Sequence, residues 1–184
     1  MKKKLTLFVI FTAALLVVAH HYARSVGATG ANGFTAITLA KGTLGSFDVF
    51  NHAILAPTTT DEDEDKDKNV WISMQKTKGS SDLYVQSNTW AAGGSTGWHS
   101  HPGHSLIIVT AGTLTDYESD DPDCKPHVYT QGMSFVDAGG SHTHIIRNEG
   151  TVTATNIAVQ LIPAGAARRI DALTAPPNCP ANIK

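Results

Sequence analysis

Short runs of β-branched and apolar residues alternate along this chain with breaks of Gly, Asp, Pro and Ser. After residue 28 no stretch carries the apolar period of an amphipathic helix, so the pattern predicts strands. They are expected over 36–39, 46–50, 70–76, 82–90, 104–110, 113–118, 127–129, 134–137, 142–147 and 151–162. Ala111-Gly112 and Asn148-Glu149-Gly150, each lying between such runs, read as tight turns. Many short strands at even spacing predict an all-β domain: a sandwich, a jelly roll or a small barrel.

The first 28 residues follow a different pattern. Lys2, Lys3 and Lys4 precede a run from Leu5 to Ala19 without a charge, and small residues follow up to Val26-Gly27-Ala28. That order reads as a secretory signal peptide cleaved near residue 28. The run is shorter than the roughly 20 apolar residues of a membrane span, so the expected mature form, residues 29–184, is a single domain without a membrane segment. Removing residues 1–28 takes four of the 14 basic side chains and none of the 16 acidic ones, leaving a formal charge of −6. A chain of that sign does not fit nucleic acid, whose binding rests on phosphate neutralisation.

Dense charge at 61–68, Asp-Glu-Asp-Glu-Asp-Lys-Asp-Lys, lacks the Gly and closing Glu of a calcium loop and reads as a solvated loop. Two cysteines remain, Cys124 and Cys179. In an exported chain such a pair reads first as a disulfide. It would tether the Pro-rich tail at 176–180, which has no strand pattern. Thiolate ligation of a metal is the weaker alternative, because neither Cys has a partner at CxxC spacing.

Histidine supplies the chemistry. Five of the seven histidines after residue 28 are His99, His101, His104, His142 and His144. Residues two apart on a strand share a face, so His99 and His101 can aim both rings at one point. A third imidazole from a distant strand would complete a set of nitrogen ligands for a transition metal. The bland alternative is a pocket of hydrogen-bonded histidines with no metal. His52 and His127 lie outside both clusters, and Trp71 and Trp90 read as core or pocket-wall aromatics. Trp98, directly before His99, is expected to point away from the ligand face and pack. Tyr117, Asp137 and Gln160 lie on expected strands from which they could reach a pocket.

Two segments here resemble the motifs of the cupin superfamily. In the first, Gly93 is followed by five residues, then His99-Ser100-His101, with Gly112 closing the segment. In the second, Gly132 is followed by five residues, Ala138 in the place of the family's Pro, then Gly140, His144 and Asn148. One extra residue stands between Gly140 and His144. The two motifs cover about 55 residues. The resemblance implies a cupin-type double-stranded β-helix, a jelly-roll barrel. It also implies a divalent transition metal (Zn, Fe, Ni, Cu or Mn) held by His99, His101 and His144. Asn148 would tether the turn after the second motif, and two copies would pair as a homodimer. The match departs at the family's glutamate ligand, which falls at Ser105 or Leu106. His104 is a candidate to replace it, and His142 a candidate to replace His144 if the extra residue forms a bulge. The expected function is an exported metal-binding protein that acts on, or only holds, a small anionic or oxygenated molecule.

Overall fold

A computed structural model describes residues 30–54, 70–180 and 182–183. The expected signal peptide and the charge run at 61–68 lie outside them. Among the described residues there is no helix, and twelve strands run in chain order: β1 Asn32–Leu44, β2 Asp48–Ile54, β3 Val70–Lys76, β4 Ser81–Ser95, β5 His99–Ser100, β6 Ser105–Ala111, β7 Thr113–Glu118, β8 His127–Thr130, β9 Ser134–Asp137, β10 His144–Arg147, β11 Ala154–Pro163 and β12 Ile170–Asp171.

All pairings are antiparallel, and most of those in the barrel fall into two groups. One group runs β1-β4-β11-β6-β9, the other β12-β5-β10-β7-β8. The far end of β4 joins them, where Ser95 pairs with Arg147 on β10. The result is a nearly closed jelly-roll barrel, which leaves few open edges. β2 and β3 form a separate hairpin outside it.

Alternation decides what enters the barrel. On β6, Ser105, Ile107 and Val109 are buried while Leu106 and Ile108 face out. The apolar core between the two groups takes Trp90 from β4, Ile107 and Val109 from β6, Leu114 from β7 and Ile146 from β10. Each such side chain contributes roughly 1.5–3 kcal/mol on full burial. At the turn expected at Ala111-Gly112, Gly112 has φ +70, and a Cβ there would meet Ala154 at 2.9 Å. Only glycine fits that turn without strain.

Strand ends differ from the expectation where backbone pairing, not burial, decides them. β1 was expected only over 36–39, yet it runs the length of β4, from Asn32 opposite Ser95 to Leu44 opposite Ser81. Its side chains are almost all exposed, so no alternation marked it. Trp71, expected as a core or pocket-wall aromatic, is instead half exposed at 52%, on a hairpin that is not part of the barrel sheet.

Cys124 and Cys179 form the expected disulfide, with Cα atoms 5.2 Å apart. It closes a separation of 55 residues, which the loop-entropy model values at about 4 kcal/mol. The tail it holds covers the outer side of β10. There Trp98, Tyr117 and Ile145 pack with both cysteines and Ile183, and Trp98 Nε1 donates to the Ile183 carbonyl at 3.1 Å. Trp98 packs away from the ligand face, as its position beside His99 predicted.

Asp82 anchors the start of β4. Its carboxylate accepts from the Gly165 amide at 3.0 Å and from Thr43 Oγ1 at 2.8 Å, and pairs with Lys41 Nζ at 3.0 Å. The Gly165 amide first, then Lys41 and Thr43, hold its pKa at about 2, below the ordinary 3.8. A carboxylate depressed by folding stabilises the native state above its unfolded pKa, and that contribution is lost as pH falls towards 2. Asp82→Asn should therefore lower the urea midpoint at pH 7 and flatten its decline between about pH 4 and pH 2. An unchanged acid limb would show that Asp82 contributes nothing.

Candidate metal centre

His99 opens β5 and His144 opens β10, and the two are direct partners across that ladder. His101 follows one residue beyond β5. Ring centroids lie 4.8 Å apart for His99 and His101, 4.6 Å for His99 and His144, and 5.7 Å for His101 and His144. One ring nitrogen from each falls within 4.8 Å of the others, and all three residues are buried.

What holds each ring on its other side decides what it offers. His99 Nδ1 donates to the Gly97 carbonyl at 2.9 Å and His101 Nδ1 to the Arg168 carbonyl at 2.6 Å. His144 Nδ1 lies 3.3 Å from Asp116 Oδ1, a contact of ion-pair length not aligned as a hydrogen bond. A carbonyl can only accept, so Nδ1 carries the proton in His99 and His101 and each Nε2 keeps its lone pair. His144 Nε2 is buried with no hydrogen-bond partner. Buried polar atoms rarely stay unpartnered, and the His99 and His101 lone pairs beside the unpartnered His144 Nε2 suit a divalent cation. This donor set fits the transition metal that the motifs imply.

Electrostatics agree with that fit at His99 and His101, and differ at His144. Burial pushes the His99 pKa well below its ordinary 6.5, helped by His144, Arg169 and His101. Burial also lowers that of His101, against the Arg168 carbonyl and Asp137. Both rings are therefore neutral at pH 7, the form a metal requires. For His144 burial pulls down as well, but Asp116, Asp137 and Glu118 outweigh it and the pKa rises.

The opposite wall of the cavity is polar. Inward positions of the other strand group carry Gln86 and Asn88 on β4, Ser105 on β6, Asp137 on β9, and Asn156 and Gln160 on β11. Asn88 Nδ2 donates to Asn156 Oδ1 at 2.9 Å, and Gln160 Nε2 donates to Ser105 Oγ at 3.2 Å. Arg168 and Arg169 also line the space, which has about 50 Å³ for the centres of water-sized groups.

Other expected residues land elsewhere. His104 contacts Gln75 Nε2 at 3.2 Å and lines a different cavity, beside the end of β3. His142 precedes β10 in a turn, where it faces Asp120 at 3.1 Å and Glu118 at 3.6 Å. Strand parity with His144 does not apply there, because the regular strand starts only at His144. Of the three residues expected to reach a pocket, Asp137 and Gln160 do, while Tyr117 packs in the second cluster and donates to Glu149 at 3.0 Å. Asn148 plays the expected tether, with Nδ2 donating to the carbonyls of Trp90, Ala91 and Val152. Sequence reasoning missed Asp116, Arg168 and Arg169. The inward parity of Gln86, Asn88 and Trp90 was available from the strand spacing.

The nearly closed barrel of two antiparallel strand groups is the double-stranded β-helix fold that the motifs imply. No family model and no curated protein matches the chain. Solved structures similar to it include a double-stranded β-helix protein from Klebsiella pneumoniae, at 17% identity and TM-score 0.42. That likeness covers 50% of this chain and 76% of that one. A cupin domain from Bordetella pertussis is similar at 20% identity and TM-score 0.37, over 43% and 80% of the two chains. An oxalate oxidase is similar at 22% identity and TM-score 0.38, over 45% of this chain. This chain spans 46% of the oxalate oxidase.

Asp116 orients a ring without facing the cavity, so removing its charge should loosen the site and leave the barrel folded. Asp116→Asn is expected to weaken divalent-metal binding by roughly 10–100-fold, read by competition with a chelator. Unchanged affinity would remove Asp116 from the account.

Proposed function

We propose that this is an exported metalloprotein that holds one divalent transition metal through His99, His101 and His144 and takes a small oxygenated anion into the cavity beside it. One observation carries the reading: three buried imidazoles face one another, His99 and His101 with Nδ1 bonded to carbonyls and His144 with neither ring nitrogen in a hydrogen bond. Bound there, the metal would supply Lewis-acid polarisation of an oxygen ligand at its open positions.

The chain's own residues restrict that ligand. A volume of 50 Å³ corresponds to roughly three or four water positions, so a molecule of only a few heavy atoms fits. Arg168 and Arg169 favour a negative charge. Gln160 Oε1 and Asn88 Oδ1 are buried acceptors without a donor, and a ligand hydroxyl would satisfy either. A non-catalytic binding or storage module is the second reading. It is favoured by the lining, whose titratable groups are the three imidazoles, Asp137 and the two arginines. The disulfide supports an oxidising compartment. Exposed Phe50, Ile54, Ile72 and Met74, which share one face of the hairpin, give a second copy an apolar surface to cover.

Elemental analysis of protein purified without an affinity tag should find close to one transition metal per chain, with light scattering giving twice the chain mass. The double variant His99→Ala, His101→Ala should lose the metal. A metal-free wild type, or a variant with undiminished content, would overturn the reading, and a single-chain mass would remove the dimer. Turnover of small oxygenated acids by the loaded protein would decide against the binding module.

A further inference from the structure

The glutamate position of the cupin-like first motif falls at Ser105 or Leu106. Leu106 faces outward and Ser105 faces the cavity. Directly across the β6–β9 ladder from Ser105 stands Asp137. Cross-strand partners project to the same side of a sheet, so Asp137 delivers a carboxylate to the level at which the motif's glutamate would have entered.

The surroundings of Asp137 single out one oxygen. Oδ1 accepts from the Gly139 amide at 3.0 Å, while Oδ2 accepts from Ser105 Oγ at 3.2 Å. Oδ2 also lies 3.6 Å from His101 Nε2 and 3.9 Å from His144 Nε2. The side chain is 1% exposed, and its ion-pair contacts among the described residues are those two rings. Two ligands each about 2.1 Å from one metal stand roughly 3.0–3.6 Å apart when they subtend 90–120°. Towards His101 and His144 the observed separations exceed that range by a few tenths of an ångström at most, while Oδ2 makes no ion-pair contact with His99.

The loop that carries Asp137 is held firmly. Gly139 has φ +68, and a Cβ there would fall 2.2 Å from the Gly103 carbonyl. The turn after Asp137 is thus packed against the turn after His101, and the two motif segments support each other.

We infer that Asp137 is the fourth protein ligand of the metal, binding through Oδ2 and supplying from β9 the carboxylate that the motif places on β6. The inference rests on the three-histidine reading above. The carboxylate offsets one unit of the metal's charge and widens the site's tolerance towards harder ions such as Mn. It also leaves the cavity without a free carboxylate to act as a base, in line with a module that binds.

The test uses Co(II), whose visible absorption follows coordination number and ligand type. Wild type, Asp137→Asn and, as a control on the outward face of the same strand, Val136→Thr are titrated with Co(II) against a chelator. Asn keeps an oxygen for the Gly139 amide and loses the charge. Asp137→Asn is expected to bind at least ten-fold more weakly with an altered visible spectrum, while Val136→Thr keeps the wild-type affinity and spectrum. Wild-type affinity and spectrum in Asp137→Asn would overturn the assignment and leave the three-histidine site standing. A wild type that takes up no Co(II) would overturn both. If Asp137→Asn does not fold, a crystal structure of the zinc-loaded wild type decides. Oδ2 within about 2.0–2.2 Å of the metal supports the assignment, and Oδ2 without a bond to it overturns it.

Discussion

Three imidazoles gathered out of water are the constraint on which the rest of this structure depends. Their position follows from a single pairing, His144 against His99, between two strands that are each only two to four residues long. Such short strands do not hold a register alone. β10 is held on one side by β5 and on the other by β7, through four successive partners from His144–Glu118 to Arg147–Thr115. Behind it, the disulfide-tied tail seals Trp98, Tyr117 and Ile145. Asn148 then clamps the exit of β10 to the end of β4. Each device removes a freedom that would otherwise let the rings drift apart.

The two strand groups divide the chemistry. The β5–β10 side supplies nitrogen, each ring oriented by a carbonyl or carboxylate behind it. The β4–β11–β6–β9 side supplies oxygen and amide groups: Asp137, Ser105, Gln160, Asn88 and Asn156. The space between them has imidazole rings on one wall and hydrogen-bonding groups on the other. The apolar core lies farther along the same inward faces, so one alternation of side chains builds both the packing and the site.

Much of this was legible before any coordinates. His99 and His101, the spacing from Gly132 to Asn148, the Cys124–Cys179 pair and most strands follow from local pattern, and local pattern is what sequence carries. What stayed hidden depends on register between distant segments. That Asp116 would back His144, or that Asp137 would stand opposite Ser105, requires knowing which strands pair and in what phase. The reach of β1 was hidden because a strand with exposed side chains leaves no alternation to read. Trp71 misled because a large aromatic normally marks a core, and here it lies on a hairpin outside the barrel.

The replacement of a motif glutamate by Ser105 would, taken by itself, argue for a weakened site. The geometry instead places a carboxylate from the neighbouring strand beside the same rings, so loss in one motif is met by a residue of the other. The central claim remains the convergence of His99, His101 and His144 on one ion. X-ray absorption at the edge of the bound metal tests it most directly, because imidazole rings leave a distinctive outer-shell scattering. Three imidazole nitrogens at about 2.0–2.1 Å are expected, falling to two in His144→Ala. A spectrum with one imidazole or none, or one that His144→Ala leaves unchanged, would contradict it.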